Sequence, residues 1–328
     1  MPDQLLFAME VTLNGLMAGV LYALVALGFV LIFKASGIFN FAQGVMALFA
    51  AATLVGIMKG QVPFSHLINA IFGTNIHYFG WQVPAIIAIV LTILVMVGMA
   101  LAVQHFVMRH LVNQEPIILF MATIGLAYFL EGMSDLMWGS EIKKLDVGLP
   151  QGINEAIDQV TFDAFGYGFF IDNLDIVATI IAALLVIALM AFNQYTKQGR
   201  AMRAVADDHQ AALSVGISLN YIWILVWSLA GFVALVAGIM WGTKSGVQFS
   251  LSLIALKALP VLMLGGFTSI PGAIIGGLII GVGEKLFEFA LGPLLGGATE
   301  NWFAYVLALL FLVFRPQGLF GEKIIERV

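Results

Sequence analysis

The sequence predicts an all-α fold, a polytopic bundle of transmembrane helices. Three observations carry that prediction. Of 328 residues, 61% are hydrophobic and only 10% are charged. Soluble domains carry about 25% charged residues, so this chain has too little polar surface to cover itself in water. Its apolar stretches reach the roughly 20 residues that span a bilayer as helix. They also lack the short-range alternation that a membrane β-barrel requires.

In chain order, spans are expected at 13–33, 41–58, 81–103, 116–137, 174–192 and 221–241. The apolar stretch Leu251–Leu291 is interrupted by Lys257, Pro260, Gly265, Gly266, Pro271 and Gly272, and it reads as two short or broken segments. A last span follows at 302–314. This makes eight clear spans, or nine to ten with the broken pieces counted, in one transmembrane domain over 1–328. Met1–Glu10 lacks a basic region of the kind that precedes a cleaved signal sequence.

Lysine and arginine counts in short loops set the orientation. With nine crossings and the N-terminus outside, the inner face holds eight: Lys34, Arg109, Lys197, Arg200, Arg203, Arg315, Lys323 and Arg327. The outer face holds four: Lys59, Lys143, Lys144 and Lys244. The C-terminus then lies in the cytoplasm. The loop 138–173 falls outside and carries Glu141, Asp146, Glu155, Asp158, Asp163 and Asp172, either as a solvated cap or as a docking surface. The polar segment 196–220 falls inside.

Two interruptions stand out. In Gly19–Ala52, the residues Gly37, Asn40, Gln43 and Gly44 break the apolar run. Irregular backbone at membrane depth needs protein or a water-filled cavity around it, and transporters aim such breaks at their substrates. A tight turn in which Asn40 caps the following helix is the other reading, and both stay open. In Leu256–Glu284, Gly265, Gly266, Pro271 and Gly272 mark a break that could serve as a gate. Gly272, Ala273, Gly276, Gly277, Gly281 and Gly283 then form a small-residue face suited to close helix packing.

Chemistry inside the chain is sparse. There is no cysteine, so thiolate metal sites and disulfides are excluded. No GxxxxGK[ST] segment is present, so the chain should not hydrolyse ATP. Asp207, Asp208 and His209 are adjacent and point in different directions on a helix, whereas Glu131 and Asp135 share a face. Glu131 and Lys257 are ionisable residues within spans. Lys257 is expected to snorkel to the interface.

Three motifs resemble the LivH-type permease subunits of branched-chain amino-acid ABC importers. They are Tyr22–Ala23–Leu24 with Ala26–Leu27–Gly28 and then Asn40–Phe41–Ala42–Gln43–Gly44; "RAVADDHQAALSVGI"; and "LGGFTSIPGAIIGG". The likeness runs from about Gly15 to Phe320. Thr268 and Ile270 stand where that family often has glycine.

The resemblance implies a multi-pass permease of the bacterial inner membrane that is not itself an enzyme. Its implied partners are a second, LivM-like permease subunit, two ATPase subunits that use ATP and Mg, a substrate-binding protein and membrane lipid, with no nucleic acid. It implies that a short helix within 196–220 docks on an ATPase. Between Gly199 and Gly216, its alanines favour helix. Coupling is assigned to Arg200, Arg203, Ala204, Asp207, Asp208, Ala211, Ala212 and Gly216. Tyr22, Asn40, Gln43, Thr123 and Ser269 are pathway candidates, and no residue is assigned to catalysis, cofactor or metal. Related permeases for urea, short amides or aromatic acids are the alternative. A stand-alone secondary transporter would want paired carboxylates within spans, and few are present.

Overall fold

The computed structural model describes residues 2–111 and 114–321. Lys323 and Arg327, counted above for orientation, lie outside the described residues. The chain is all-helical, and among the described residues only isolated β-bridges interrupt the helices. It divides into two compact units.

The first unit comprises residues 1–30, 149–190 and 256–328. It holds most of α1 (Pro2–Ser36), α6 (Glu155–Phe165), most of α7 (Asn173–Tyr195), and α11 (Ile254–Gly265), α12 (Ile270–Leu295) and α13 (Phe303–Phe314). Its organising contact is the crossing of α1 and α12. A Cβ added at Gly281 would sit 2.4 Å from Gly15 O, and one at Gly277 would sit 2.5 Å from Gly19 O. Backbone therefore rests on backbone, which only glycine allows. The expected small-residue face divides between partners. Gly277 and Gly281 meet α1, Gly272 and Gly276 meet α11, and Gly283 meets Phe303 of α13.

The second unit comprises residues 31–148 and 191–255. It holds α2 (Gln43–Met58), α3 (Ser65–Phe72), α4 (Ala85–Phe106), α5 (Pro116–Trp138), α8 (Lys197–Asp207), α9 (His209–Ser214) and α10 (Leu219–Ser245). At its centre stands α2, buried from Gln43 to Gly56 and packed by α4, α5 and α10. Gly238 of α10 lets that helix approach Ala47, where a Cβ would stand 2.5 Å from the Ala47 carbonyl oxygen. Gly56 leaves room for the Trp138 ring, whose Nε1 donates to Thr53 Oγ1 at 3.1 Å.

The helices fall close to the expected spans, but their lengths differ in kind. Among the described residues, five helices are long and apolar enough to cross a membrane, and the bent pair α11–α12 makes a sixth. At 16 and 12 residues, α2 and α13 rise only about 24 and 18 Å at 1.5 Å per residue. That is less than the roughly 30 Å hydrocarbon core. For α2 the shortfall is tolerable because protein surrounds it on every side, leaving no lipid to match.

The loop 138–173 is not uniformly irregular. It contains α6, whose N-cap Asn154 accepts from Ile157 N. Beside that helix, Phe169 and Ile171 form a small core with Leu6 of α1. Glu10 accepts from Tyr167 Oη at 2.9 Å and from Phe170 N at 3.3 Å, tying the loop to α1.

Candidate functional site

The segment 196–220 folds as two short helices rather than one. Thr196 caps α8 by accepting from Gly199 N at 2.9 Å. Gly199 is therefore inside the helix and does not precede it. It is glycine because a Cβ would lie 2.4 Å from the carbonyl oxygens of Phe192 and Asn193 at the end of α7. Asp208 breaks the run with extended backbone and caps α9, accepting from Gln210 N and Ala211 N. Those two amides, Ala211 foremost, hold its carboxyl below the usual carboxylate range. Gly216 ends the element in a left-handed conformation, φ +83°, as a helix stop requires.

The faces of this element are distinct. Gly199, Met202, Val205 and Ala212 are buried. Lys197, Arg200, Asp207, Asp208 and Ala211 are exposed, as are the apolar Leu213 (52%) and Val215 (74%). Ala204 and Arg203 are half-buried. Arg203 is also engaged within the chain. Its guanidinium donates to Asn193 O and, at 3.5 Å, to Gln194 O, while Arg200 donates to Tyr195 O at 3.4 Å. Both arginines satisfy carbonyls that the last turn of α7 leaves open. Leu213 and Val215, which the sequence reading passed over, are the exposed apolar groups of the element. They are recognisable only once Ala212 is seen to face inward.

Three of the five pathway candidates converge in the second unit. Asn40, Gln43 and Thr123 are all essentially buried. Asn40 Nδ2 donates to Gln43 Oε1 at 3.4 Å, and Gln43 Nε2 donates to Ala230 O of α10 at 3.3 Å. Thr123 Oγ1 accepts from Phe41 N at 3.1 Å and lies 3.0 Å from Phe39 O. The irregular segment between α1 and α2 is thus held to α5 by Thr123, which bonds its backbone, while Gln43 at the start of α2 reaches the α10 backbone. Asn40 does not cap α2. The N-cap is Ala42, without a side-chain bond, and Asn40 Oδ1 accepts from Ala42 N at 3.1 Å within the preceding turn.

In the first unit, Ser269 is a helix cap, its Oγ accepting from Gly272 N at 3.0 Å. The break it belongs to is sharp, since α11 and α12 meet at 114°. A Cβ on Gly265 would stand 2.2 Å from Gly272 O, Gly266 adopts φ +100°, and Pro271 occupies the first turn of α12. The carbonyls freed at the end of α11 are taken up by the chain after α13. Leu319 N donates to Leu264 O at 2.8 Å and Phe320 N to Gly265 O at 3.2 Å. The break is therefore braced on the described side of the C-terminus.

Tyr22 lies beside a feature that sequence reasoning missed. Lys257 is expected as a lone snorkelling cation, and the structure gives it a partner. Lys257 Nζ stands 2.5 Å from Glu284 Oε1, 3.4 Å from Tyr22 Oη and 5.6 Å from the Tyr22 ring centroid. Glu284 is 1% exposed. A carboxylate in the middle of an apolar helix was the signal that could have revealed it, because such a group needs a partner.

Residues 11–315 match the family model described as "Branched-chain amino acid transport system / permease component". The chain is 29% identical to the high-affinity branched-chain amino acid transport system permease protein LivH of Escherichia coli K12, with all of both chains covered. It is 29% identical to BraD of Pseudomonas aeruginosa, a protein described in the same terms, over 96% of each chain. It is 27% identical to a probable branched-chain amino acid transport permease LivH of Methanocaldococcus jannaschii, over 92% of this chain and 89% of that one.

Proposed function

The chain belongs to the branched-chain amino acid transport permease family, and on that premise we propose that it is the membrane-spanning subunit of an ABC importer for branched-chain and other apolar amino acids. It sits in the bacterial inner membrane with its N-terminus outside and its C-terminus cytoplasmic. Two ATPase subunits, which bind ATP and magnesium, engage it from the cytoplasm. A second permease subunit completes the pathway, and a binding protein delivers substrate from outside.

The observation that supports this reading is the element α8–α9. It joins two spans, α7 and α10, and its buried face of Gly199, Met202 and Val205 seats it against the bundle. Its outward face offers Leu213 and Val215 beside Arg200 and Asp207. Exposed apolar groups within a charged rim are the composition of a docking surface. Force applied there passes into α7 through the Arg200 and Arg203 bonds and along the chain into α10, which is in turn tied to α4 where Gln104 Nε2 donates to Asn220 Oδ1 at 2.8 Å.

The test pairs Leu213→Asp with Val215→Asp in the assembled transporter. ATPase co-purification and ATP-driven leucine uptake should both fall more than about tenfold, equivalent to roughly 1.4 kcal/mol of docking energy. Chain abundance in the membrane should not change. Uptake at the original rate with ATPases still bound would refute the assignment of α8–α9. Transport of urea or a short amide with no leucine uptake would refute the substrate class.

A further inference from the structure

The second unit contains a cavity of about 210 Å3. This is far larger than the ~10–15 Å3 that holds one water and smaller than the ~300–1,000 Å3 of drug-sized ligand sites. Its apolar lining comprises Leu48 and Ala52 of α2, with Phe249 and Val247 after α10. Its polar lining carries both signs of charge, with Glu131 and Asp135 from α5 and Glu141 and Lys143 from the following loop.

The cation is held in place. Lys143 Nζ donates to Gln61 Oε1 at 3.1 Å and to Trp138 O, and the Lys143 backbone pairs in both directions with Val247. Glu131 and Asp135 are one helical turn apart, so their carboxylates share a face about 5–6 Å apart at Cβ. Among the described residues, no three His, Asp or Glu side chains come together as a metal site.

The cavity's position follows from one helix. The 27 residues of α10 rise about 40 Å, enough to cross the bilayer. Its first turn follows α9, and its last residue precedes the lining segment Val247–Phe249. The cavity and the α8–α9 element therefore lie at opposite ends of α10. If ATPases dock on α8–α9, the cavity faces the side from which an importer receives its substrate.

We propose that this cavity is a receiving site for a zwitterionic α-amino acid with an apolar side chain. The substrate ammonium sits between Glu131 and Asp135, its carboxylate meets Lys143, and its side chain rests on Leu48 and Ala52. The proposal rests on the importer reading above and adds to it a place on the membrane subunit where the amino acid is recognised. Held charges of both signs select against molecules that lack either group, because an unpaired partner would be left desolvated.

The test uses the permease assembled with its ATPases in nanodiscs, without the binding protein and without ATP, and with tritiated L-leucine as probe. L-leucine should bind. Leucinamide, which lacks the carboxylate, and 4-methylpentanoate, which lacks the ammonium, should each compete more than about tenfold less well. The pair Glu131→Gln with Asp135→Asn, and separately Ala52→Phe, should each weaken leucine binding by a similar factor while ATPase capture is unchanged. The proposal is overturned if wild type binds no leucine, if either analogue competes equally, or if both variants bind as wild type. It is also overturned if the carboxamide pair keeps leucine but, in a parallel capture assay with the binding protein added, loses that partner, since the cavity would then receive a basic side chain of it. Failure of the wild-type chain to capture ATPases would sink the importer reading instead, whatever the leucine result.

Discussion

Lys257 and Glu284, 27 residues apart in sequence, meet at 2.5 Å inside the first unit and join the α11 half of a broken span to the α12 half. A charge on either helix alone would be costly at that depth. The pair is tolerated because each group neutralises the other, with Tyr22 supplying a hydroxyl and a ring face.

Removing Lys257 leaves Glu284 unpaired and buried, whereas removing Glu284 leaves a lysine whose side chain is 29% exposed. Lys257→Met should cost about 3–5 kcal/mol, Glu284→Gln should cost less, and the double variant should cost less than their sum. Thermal or SDS unfolding of the purified chain in detergent measures this. Strictly additive losses would show that the two charges do not interact.

Backbone contact between α1 and α12 makes a sharper prediction. Gly281→Ala places a methyl 2.4 Å from Gly15 O and Gly19 N, and overpacking of this kind costs about 1–3 kcal/mol. Gly98 lies in the interior of α4, where an added Cβ meets nothing within 4 Å. Gly98→Ala should therefore stabilise by about 0.5–1 kcal/mol. Equal effects at the two positions in an unfolding series would contradict the α1–α12 crossing.

Thr123 supports the irregular segment before α2 by accepting from Phe41 N. Thr123→Val keeps the shape and deletes the acceptor. The stranded donor should cost about 1–3 kcal/mol, while Thr123→Ser should retain most of the stability. Hydrogen exchange at the Phe41 amide separates the two outcomes, and slow exchange in the valine variant would disprove the clamp.

Lys143 should titrate in a pH range open to direct measurement. Burial, followed by the nearby charge of Lys59, pushes its ammonium down from an ordinary 10.5 to about 8, while Glu141 and Asp135 act in the opposite direction. Between those two values the unfolded chain holds a proton that the folded chain has released. Stability therefore rises with pH across that window, and the full penalty of the charge is present below pH 8. Acylation of Lys143, read by peptide mass spectrometry, should reach half its maximal rate near pH 8 in the folded chain. Glu141→Gln should move that point lower. At neutral pH the group remains cationic, as a carboxylate-binding role requires.

The membrane class, the place of each long helix, the break at 265–272 and the polar element at 196–220 were all readable from composition, length and glycine spacing. These signals are local, because about 20 apolar residues or a glycine pair carries the same meaning in most contexts. The roles of single polar residues were less readable. Arg203 reads as a surface contact but satisfies the end of α7. Ser269 reads as a pathway group, and its capping of α12 could not be read from the sequence. Lys257 reads as a snorkelling cation but pairs with Glu284. Each outcome depends on which backbone group or charge the fold brings within about 3 Å, and no spacing along the chain reports that distance.

By itself, the sequence determined that this protein must live in a bilayer, and roughly where it crosses, because apolar length and scarce charge leave no other way to satisfy the backbone. Only the tertiary structure decided that α2 could be short, by enclosing it in α4, α5 and α10. It alone sorted the α12 glycines among three partner helices and gathered Glu131, Asp135, Glu141 and Lys143 around one cavity. The division has a physical cause. Transfer into lipid is a property of each segment taken alone, whereas pairing, capping and enclosure depend on distances set when segments distant in the chain pack together.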